Sequence, residues 1–246
     1  MSVLHKISKI FIICDKEHEA DKYAKWELWI KDSRFKDSYV EFYSYKWGTE
    51  LTDEDIKEHS NDDGTLVKLF PFRAKFPLKK SEISLGINFM NILKTSLKAG
   101  YENILVFESD AILHPNFIVI FNSYMKAVYE SYSVWHILSI GCGMDKHVKN
   151  IKKKKFIYMG TEMRCNDSLV FNLRAMKILT DNIPILKLPI DEHFDLLVKN
   201  HKLIVLWAEP TIVVQGSQCG HNPTTIRSTD SVYVSNCEWL KDVKYK

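Results

Sequence analysis

Short apolar runs alternate with amphipathic stretches through the first half of the chain. The runs 10–14 (IFIIC) and 104–107 (ILVF) are continuous and apolar, which predicts strands buried on both faces. The aromatic and β-branched segment 39–45 predicts another strand. In the segment 81–97, apolar residues recur at steps of three and four, which predicts a helix with one buried face.

Capping residues and the same apolar patterns predict the ends of this helix and the remaining elements. Ser81 is expected to cap the helix 81–97, and Gly100 to end it. Further strands are predicted at 66–70, 134–140, 168–171, 203–207 and 211–214. Further helices are predicted within 15–31 and 51–63, and at 115–130, 173–180 and 191–200. This order predicts an α/β fold with a mainly parallel, Rossmann-like central sheet, in one domain spanning 1–246.

Composition narrows the class of protein. The chain has 246 residues, 46% of them hydrophobic, which is enough for a sizeable core. A net charge of +3 is too small for a dedicated nucleic-acid binder. The chain has five cysteines, an odd number, and no C-x-x-C spacing. A disulfide framework is therefore not expected, which favours a reducing compartment. The apolar run 10–14 is too short for a signal peptide, and no stretch predicts a transmembrane segment.

We therefore expect a soluble, cytoplasmic protein. The lysine run 152–155 leaves a peripheral membrane contact open, although a solvated loop is the simpler explanation. The oligomeric state stays open.

An acidic pair follows the apolar run 104–107. Glu108 and Asp110 lie two residues apart, and in an extended chain their side chains point to one side. Ligands of open α/β sheets bind at the carboxyl ends of strands. A hard divalent cation such as Mn²⁺ or Mg²⁺ would relieve the repulsion of the two carboxylates and neutralise a departing diphosphate. No G-x-x-x-x-G-K-[ST] motif and no G-x-G-x-x-G motif after a strand occurs, which disfavours P-loop nucleotidases and Rossmann dehydrogenases.

The segment 80–112, KSEISLGINFMNILKTSLKAGYENILVFESDAI, resembles the central block of the family 25 glycosyltransferases. These include lipooligosaccharide glycosyltransferases and collagen galactosyltransferases. The segments 9–16 (KIFIICDK), 186–198 (LKLPIDEHFDLLV) and 209–228 (EPTIVVQGSQCGHNPTTIRS) resemble other blocks of the same family. The chain departs from the family pattern at Ser109, where a third acid is usual, and at Ile87-Asn88, where Ser-His is usual.

The resemblance implies a GT-A fold, a UDP- or GDP-sugar donor and Mn²⁺ or Mg²⁺. It divides the chain into a nucleotide-sugar-binding half, about 1–112, and an acceptor-side half, about 113–246. The reaction implied is transfer of a sugar, with inversion, to a hydroxyl of a glycan or glycoprotein. The residues then assigned to the donor are Ile12, Cys14, Asp15, Glu82 and Glu108. The residues assigned to the metal are Glu108, Asp110 and His221.

Asp191 is the predicted general base, with Glu192 as the second choice, because an inverting transfer needs a base near the acceptor hydroxyl. Both acids also suit a helix N-terminus, so a purely structural role stays open. His221 is equally well explained as a surface histidine. Two alternative functions remain: a non-catalytic nucleotide-sugar or glycan binder on the same fold, and a nucleotidylyltransferase. The latter class usually carries a glycine-rich basic loop after the first strand, which this chain lacks.

Overall fold

The computed structural model describes residues 4–33, 35, 39–71, 78–143, 146–148 and 155–217. The elements of the first half are β1 (Lys9–Ile13), α1 (Ala20–Ser33), β2 (Val40–Tyr43), a 3-10 turn (Gly48–Glu50), α2 (Asp53–His59), α3 (Thr65–Leu69), α4 (Lys80–Lys98) and β3 (Asn103–Glu108). Those of the second half are β4 (Ala111–Leu113), α5 (Phe117–Ser131), β5 (Ile137–Ser139), β6 (Ile157–Met159), β7 (Ser168–Asn172), α6 (Leu173–Asn182), α7 (Ile190–Lys199), β8 (Val205–Ala208) and β9 (Val213–Gln215).

Seven strands form one central sheet in the order β2-β1-β3-β7-β5-β8-β6. Strands β1, β2 and β3 are parallel, as are β5 and β8, whereas β7 runs antiparallel to β3 and β5 and β6 runs antiparallel to β8. Five of the seven strands therefore share one direction. The predicted α/β fold with a mainly parallel, Rossmann-like central sheet is confirmed.

The two faces of the sheet bury separate clusters of apolar side chains. In β3, Ile104 and Val106 pack with α4, α6 and α7 on one face. Leu105 and Phe107 pack with α1 and α5 on the other face. The alternation follows from the two-residue period of a strand, and it explains why all four residues of the run are apolar. No helix of the described residues is long and apolar enough to span a bilayer.

The register of the parallel strands brings three chain reversals together. Ile13 at the end of β1 pairs with Tyr43 at the end of β2 and with Glu108 at the end of β3. A second, two-stranded sheet pairs Ala111 of β4 with Gln215 of β9. The segment after β9 is thereby held against the turn that carries the acidic pair.

Some sequence predictions were wrong in detail. The segment 66–70 is helical, not a strand: it forms α3, in which Leu66 is buried and Leu69 is 42% exposed. Four apolar residues around Lys68 are too few to show a period, so helix and strand could not be separated. Ser81 is not the cap of α4, which starts one residue earlier after Lys79. Strands β4 and β6 were not predicted, since three residues are too few to give a pattern.

Gly100 fulfils its predicted role at the end of α4, where its φ of 70° lies in the left-handed region. Most of the predicted basic loop 145–155, and the chain beyond residue 217, lie outside the described residues.

Candidate functional site

A cavity of about 530 Å³ lies at the carboxyl ends of β1, β2 and β3. Ile13, Ser44 and Glu108 contribute to its wall from the three strand ends. Helix α4 closes another side, and residues just before and within α1 complete it. This is the position where open α/β sheets bind their ligands, because the chain reversals leave a crevice there.

The acidic pair lies in the wall of this cavity. Glu108 is half-buried and Asp110 is 7% exposed. Gln215 Nε2 lies 3.5 Å from Glu108 Oε2, and Ser217 donates its backbone N–H to Asp110 Oδ2 at 3.1 Å. The backbone N–H of Gly216 also donates to the Asp110 carbonyl at 2.8 Å. The last residue of β9 and the two described residues after it thus contact both carboxylates through uncharged donors.

Negative charge accumulates around Glu108. Burial raises the pKa of Glu108 well above its usual range, and the nearby carboxylates of Asp110, Asp167 and Asp191 raise it further. Lys22 acts in the opposite direction. Such a grouping of acids is unfavourable unless protons or a cation compensate it.

Asp167 is the most deeply buried of these acids, with no exposed surface. It lies opposite Glu108 across the β3–β7 ladder, where the Glu108 N–H donates to the Asp167 carbonyl at 3.0 Å. Burial, reinforced by Asp110, raises its pKa to about 7. Ser168 Oγ donates to Asp167 Oδ2 at 3.2 Å, whereas Oδ1 has no hydrogen-bond partner among the described residues. A Cβ at Gly141 would lie 1.9 Å from Oδ2, so only glycine fits beside this carboxylate.

The predicted base also lies near the acidic pair. Asp191 is in the first turn of α7 and is close enough to Glu108 to contribute to its raised pKa. Glu192 follows it, and burial, together with Asp191 and Asp195, raises the pKa of Glu192. Neither residue lines the cavity. The structure therefore places Asp191 near Glu108 and outside the cavity wall, with Glu192 beside Asp191.

The loop after β1 forms that end. Asp15 Oδ1 accepts the backbone N–H groups of Glu17 and His18, both at 2.9 Å, and Oδ2 accepts Ser44 Oγ at 2.8 Å. Burial opposes the effect, but these hydrogen bonds and that from the His18 ring lower the pKa of Asp15. Cys14 also lines the cavity, and burial raises the pKa of its thiol to about 12. It is therefore a neutral wall residue at physiological pH.

Two polar residues of α4 face the cavity from its buried side. Asn88 Oδ1 accepts the backbone N–H of Tyr45 at 2.8 Å, and Ser84 Oγ donates to the Lys46 carbonyl at 2.6 Å. Both residues line the cavity. They join the loop after β2 to α4 and so fix the width of the crevice. Their spacing of four, on a helix face otherwise apolar, was the signal available in the sequence.

The remaining predicted residues lie elsewhere. Ile12 is fully buried in β1, among the apolar side chains on the α1 side of the sheet, and does not line the cavity. Glu82 also lies outside the cavity wall, and its Oε2 accepts the Lys79 N–H at 2.9 Å at the start of α4. His221 lies outside the described residues.

The turn 108–110, called the acidic turn below, is contacted by three residues that the sequence analysis did not single out. Glu19, Lys22 and Gln215 all line the cavity. The first two lie about 90 positions from Ser109, which they contact, and no local pattern marks such a pairing. Gln215 lies in the segment 209–228 that resembles the family, which was the only available signal for it.

The carboxylates present suit part of a metal site. Within the part of the chain that the structure describes, no group of three or more His, Cys, Asp or Glu side chains is arranged to hold a metal ion. Glu108 and Asp110 nevertheless supply the oxygen ligands that a hard cation prefers. Asp167 Oδ1, which has no hydrogen-bond partner among the described residues, and the raised pKa of Glu108 both fit a site that binds a cation.

No family model matches the chain, and no curated protein matches it. Among solved structures, it is similar to the crystal structure of UDP-glucose pyrophosphorylase complexed with UDP-glucose. The two are 12% identical over 81% of this chain and 72% of that one, with a TM-score of 0.39. A likeness at this level does not decide the function of this protein.

Proposed function

We propose that this protein is a glycosyltransferase of the GT-A type that transfers a sugar from a UDP- or GDP-sugar to a hydroxyl of a glycan or glycoprotein. One observation carries the proposal: the ends of three parallel strands enclose a cavity of about 530 Å³ whose wall contains Glu108 and Asp110. The volume falls within the range of small-molecule sites. The resemblance of 80–112 to family 25 glycosyltransferases agrees with this assignment.

In this proposal the nucleoside lies at the β1–β2 end, beside Cys14 and Asp15, and the diphosphate lies toward the acidic pair. Glu108 and Asp110 would hold Mn²⁺ or Mg²⁺, whose charge would offset that of the departing diphosphate. His221 would be a further ligand. Gln215 at the end of β9 and Ser217 just after it contact the two carboxylates.

Asp191 is the proposed base that accepts the proton of the acceptor hydroxyl, and Glu192 is the second choice. The position of Asp191 near Glu108 suits this role, because the acceptor must reach the sugar at the diphosphate end of the donor. Burial also raises the pKa of Glu192, which makes it a stronger base than an ordinary glutamate. Inversion at the anomeric carbon is part of the proposal.

Nucleotidylyl transfer is the second candidate, since UDP-glucose pyrophosphorylase is the enzyme in the similar solved structure. That reaction must neutralise an additional pyrophosphate. The loop after β1 presents Asp15 and Glu19 to the cavity and contains no glycine. Lys46 and Lys80, which also line the cavity, are bound to Asp55 and to the Leu51 carbonyl. These contacts favour glycosyl transfer.

The products of a donor panel test the assignment. The protein is incubated with UDP- and GDP-sugars, Mn²⁺ and a mixed glycan acceptor, and the nucleotide products are separated by chromatography. Glycosyl transfer or slow donor hydrolysis releases a nucleoside diphosphate. A parallel set of reactions contains added pyrophosphate in place of the acceptor, and there nucleotidylyl transfer yields a nucleoside triphosphate and a sugar 1-phosphate.

The matched variants are Asp110→Asn and, as a control on the exposed surface of α6, Asp181→Asn. The first should lower release of the diphosphate by at least about a hundredfold, because several kcal/mol of charge stabilisation is lost. The second should leave it unchanged. Triphosphate as the product would overturn the proposal in favour of the second candidate, and binding without turnover would identify a non-catalytic binder.

A further inference from the structure

Three side chains from α1 and the residue before it converge on Ser109, the residue between the two acids. Glu19 Oε1 accepts the Ser109 hydroxyl at 2.6 Å, and Lys22 Nζ donates to Ser109 Oγ at 3.2 Å. Trp26 Nε1 donates to the Ser109 carbonyl at 2.9 Å. These residues follow one another at steps of three and four, so they lie on one face of the helix. Helix α1 is thus docked on the acidic turn through one serine.

Lys22 is held in place but remains accessible from the cavity. Its ammonium also donates to Glu19 Oε1 at 2.6 Å, and its side chain is 17% exposed. An ammonium has three donors, and the contacts to Glu19 and Ser109 account for two of them. Both Lys22 and Ser109 line the cavity.

The other lysines in the cavity wall are engaged away from the acidic turn. Lys46 Nζ lies 2.8 Å from both carboxylate oxygens of Asp55, and Lys80 Nζ donates to the Leu51 carbonyl at 2.8 Å. Lys22 is therefore the lysine of the described cavity wall that lies beside the acidic pair. Glu108 and Asp110 would repel a diphosphate unless positive charge lies between or beside them. The Lys22 ammonium lies on the α1 side of the pair and contributes such charge.

We propose that Lys22 binds the diphosphate of the nucleotide-sugar donor, held in position by Glu19 and Ser109. This inference rests on the proposed function, because it assigns a ligand to a residue of the same cavity. Ser109 is part of the arrangement: its hydroxyl accepts from Lys22 without adding a second carboxylate to that of Glu19.

The test compares ligands with and without the diphosphate. Binding of UDP, GDP, inorganic pyrophosphate, uridine and guanosine is measured by calorimetry with Mn²⁺ present, for the wild type, Lys22→Met, Lys22→Arg and Lys25→Met. Lys25 is an exposed lysine of the same helix and serves as the matched control. Thermal unfolding is recorded for every variant.

Lys22→Met should weaken the better-binding nucleoside diphosphate, and pyrophosphate, by about ten- to a hundredfold, the usual effect of losing a hydrogen bond to a charged group. Its affinity for the nucleoside should stay within about threefold of wild type. Lys22→Arg should restore most of the loss because it keeps the charge. Lys25→Met should bind as the wild type does.

Equal affinity of wild type and Lys22→Met for the diphosphates would overturn the assignment of Lys22 while leaving the proposed function intact. Parallel losses for nucleoside and diphosphate, with a lower melting temperature, would also overturn it, since they would show a structural role only. A wild-type protein that binds none of these ligands would overturn the proposed function as well.

Discussion

Replacing Asp167 by asparagine should make the stability of the protein less sensitive to rising pH. Asp167 has no exposed surface, and burial with the charge of Asp110 raises its pKa from 3.8 to about 7. The unfolded chain therefore loses this proton at a lower pH than the folded protein does. The stability that depends on the Asp167 proton is fully present below about pH 4 and is lost as the pH rises toward 7.

The magnitude follows from the size of this shift. A rise from 3.8 to about 7 is about three units, which corresponds to about 4 kcal/mol at pH values well above 7. About 2 to 3 kcal/mol of this loss falls between about pH 5 and about pH 8. Asparagine has nearly the same shape, keeps an acceptor for Ser168 and does not ionise.

Urea unfolding followed by circular dichroism, at several pH values and with a chelator present, measures the effect. The free energy of unfolding of the wild type should fall relative to Asp167→Asn by about 2 to 3 kcal/mol between about pH 5 and about pH 8. Asp181→Asn, which changes an exposed acid, should follow the wild-type curve. If the free energies of unfolding of the wild type and Asp167→Asn change in parallel with pH, ionisation of Asp167 does not destabilise the folded protein, and the reasoning fails.

Two further predictions concern stability. Arg164→Met should lower the free energy of unfolding by about 3 to 5 kcal/mol in urea, because it removes the buried guanidinium that pairs with buried Glu209. Adding Glu209→Gln should recover part of this loss, and a loss under about 1 kcal/mol would contradict the account. Burial, with Lys187, lowers the pKa of His193 to about 4, and its Nε2 accepts the Lys187 and Leu188 N–H groups. Protonation removes that acceptor, so stability present above about pH 6.5 should be lost as pH falls toward 4. His193→Gln should flatten this acid limb of the melting-temperature profile, and an unchanged limb would argue against His193 as its source.

Much of the central sheet was readable from sequence because its strands are buried on both faces. The run 104–107 predicted β3, and the position of Glu108 after it placed the acidic pair at the ligand edge. The segment 66–70 was assigned wrongly because four apolar residues around Lys68 fit a strand and a helix turn equally well. Strands β4 and β6 owe their existence to pairing partners, β9 and β8, that are distant in sequence.

The candidate site was predictable only where a motif is local. The pair Glu108 and Asp110 could be found, since strand and acids adjoin. The contacts of Glu19 and Lys22 with Ser109 could not, because they depend on how α1 packs against the turn after β3. The deep burial of Asp167 likewise arises from its place opposite Glu108 in an antiparallel ladder that no short-range pattern specifies.

The central claim is that Glu108 and Asp110 form a metal-assisted site for a nucleotide sugar. Its most direct test is the melting temperature of the wild type, Glu108→Gln and Asp110→Asn with UDP- and GDP-sugars, each with and without Mn²⁺. The account predicts that at least one donor stabilises the wild type only when Mn²⁺ is present, by about 2 to 3 kcal/mol at a hundredfold excess over its dissociation constant. Neither variant should respond. Stabilisation that is equal in the wild type and both variants, or the absence of any response to every donor with Mn²⁺, would contradict it.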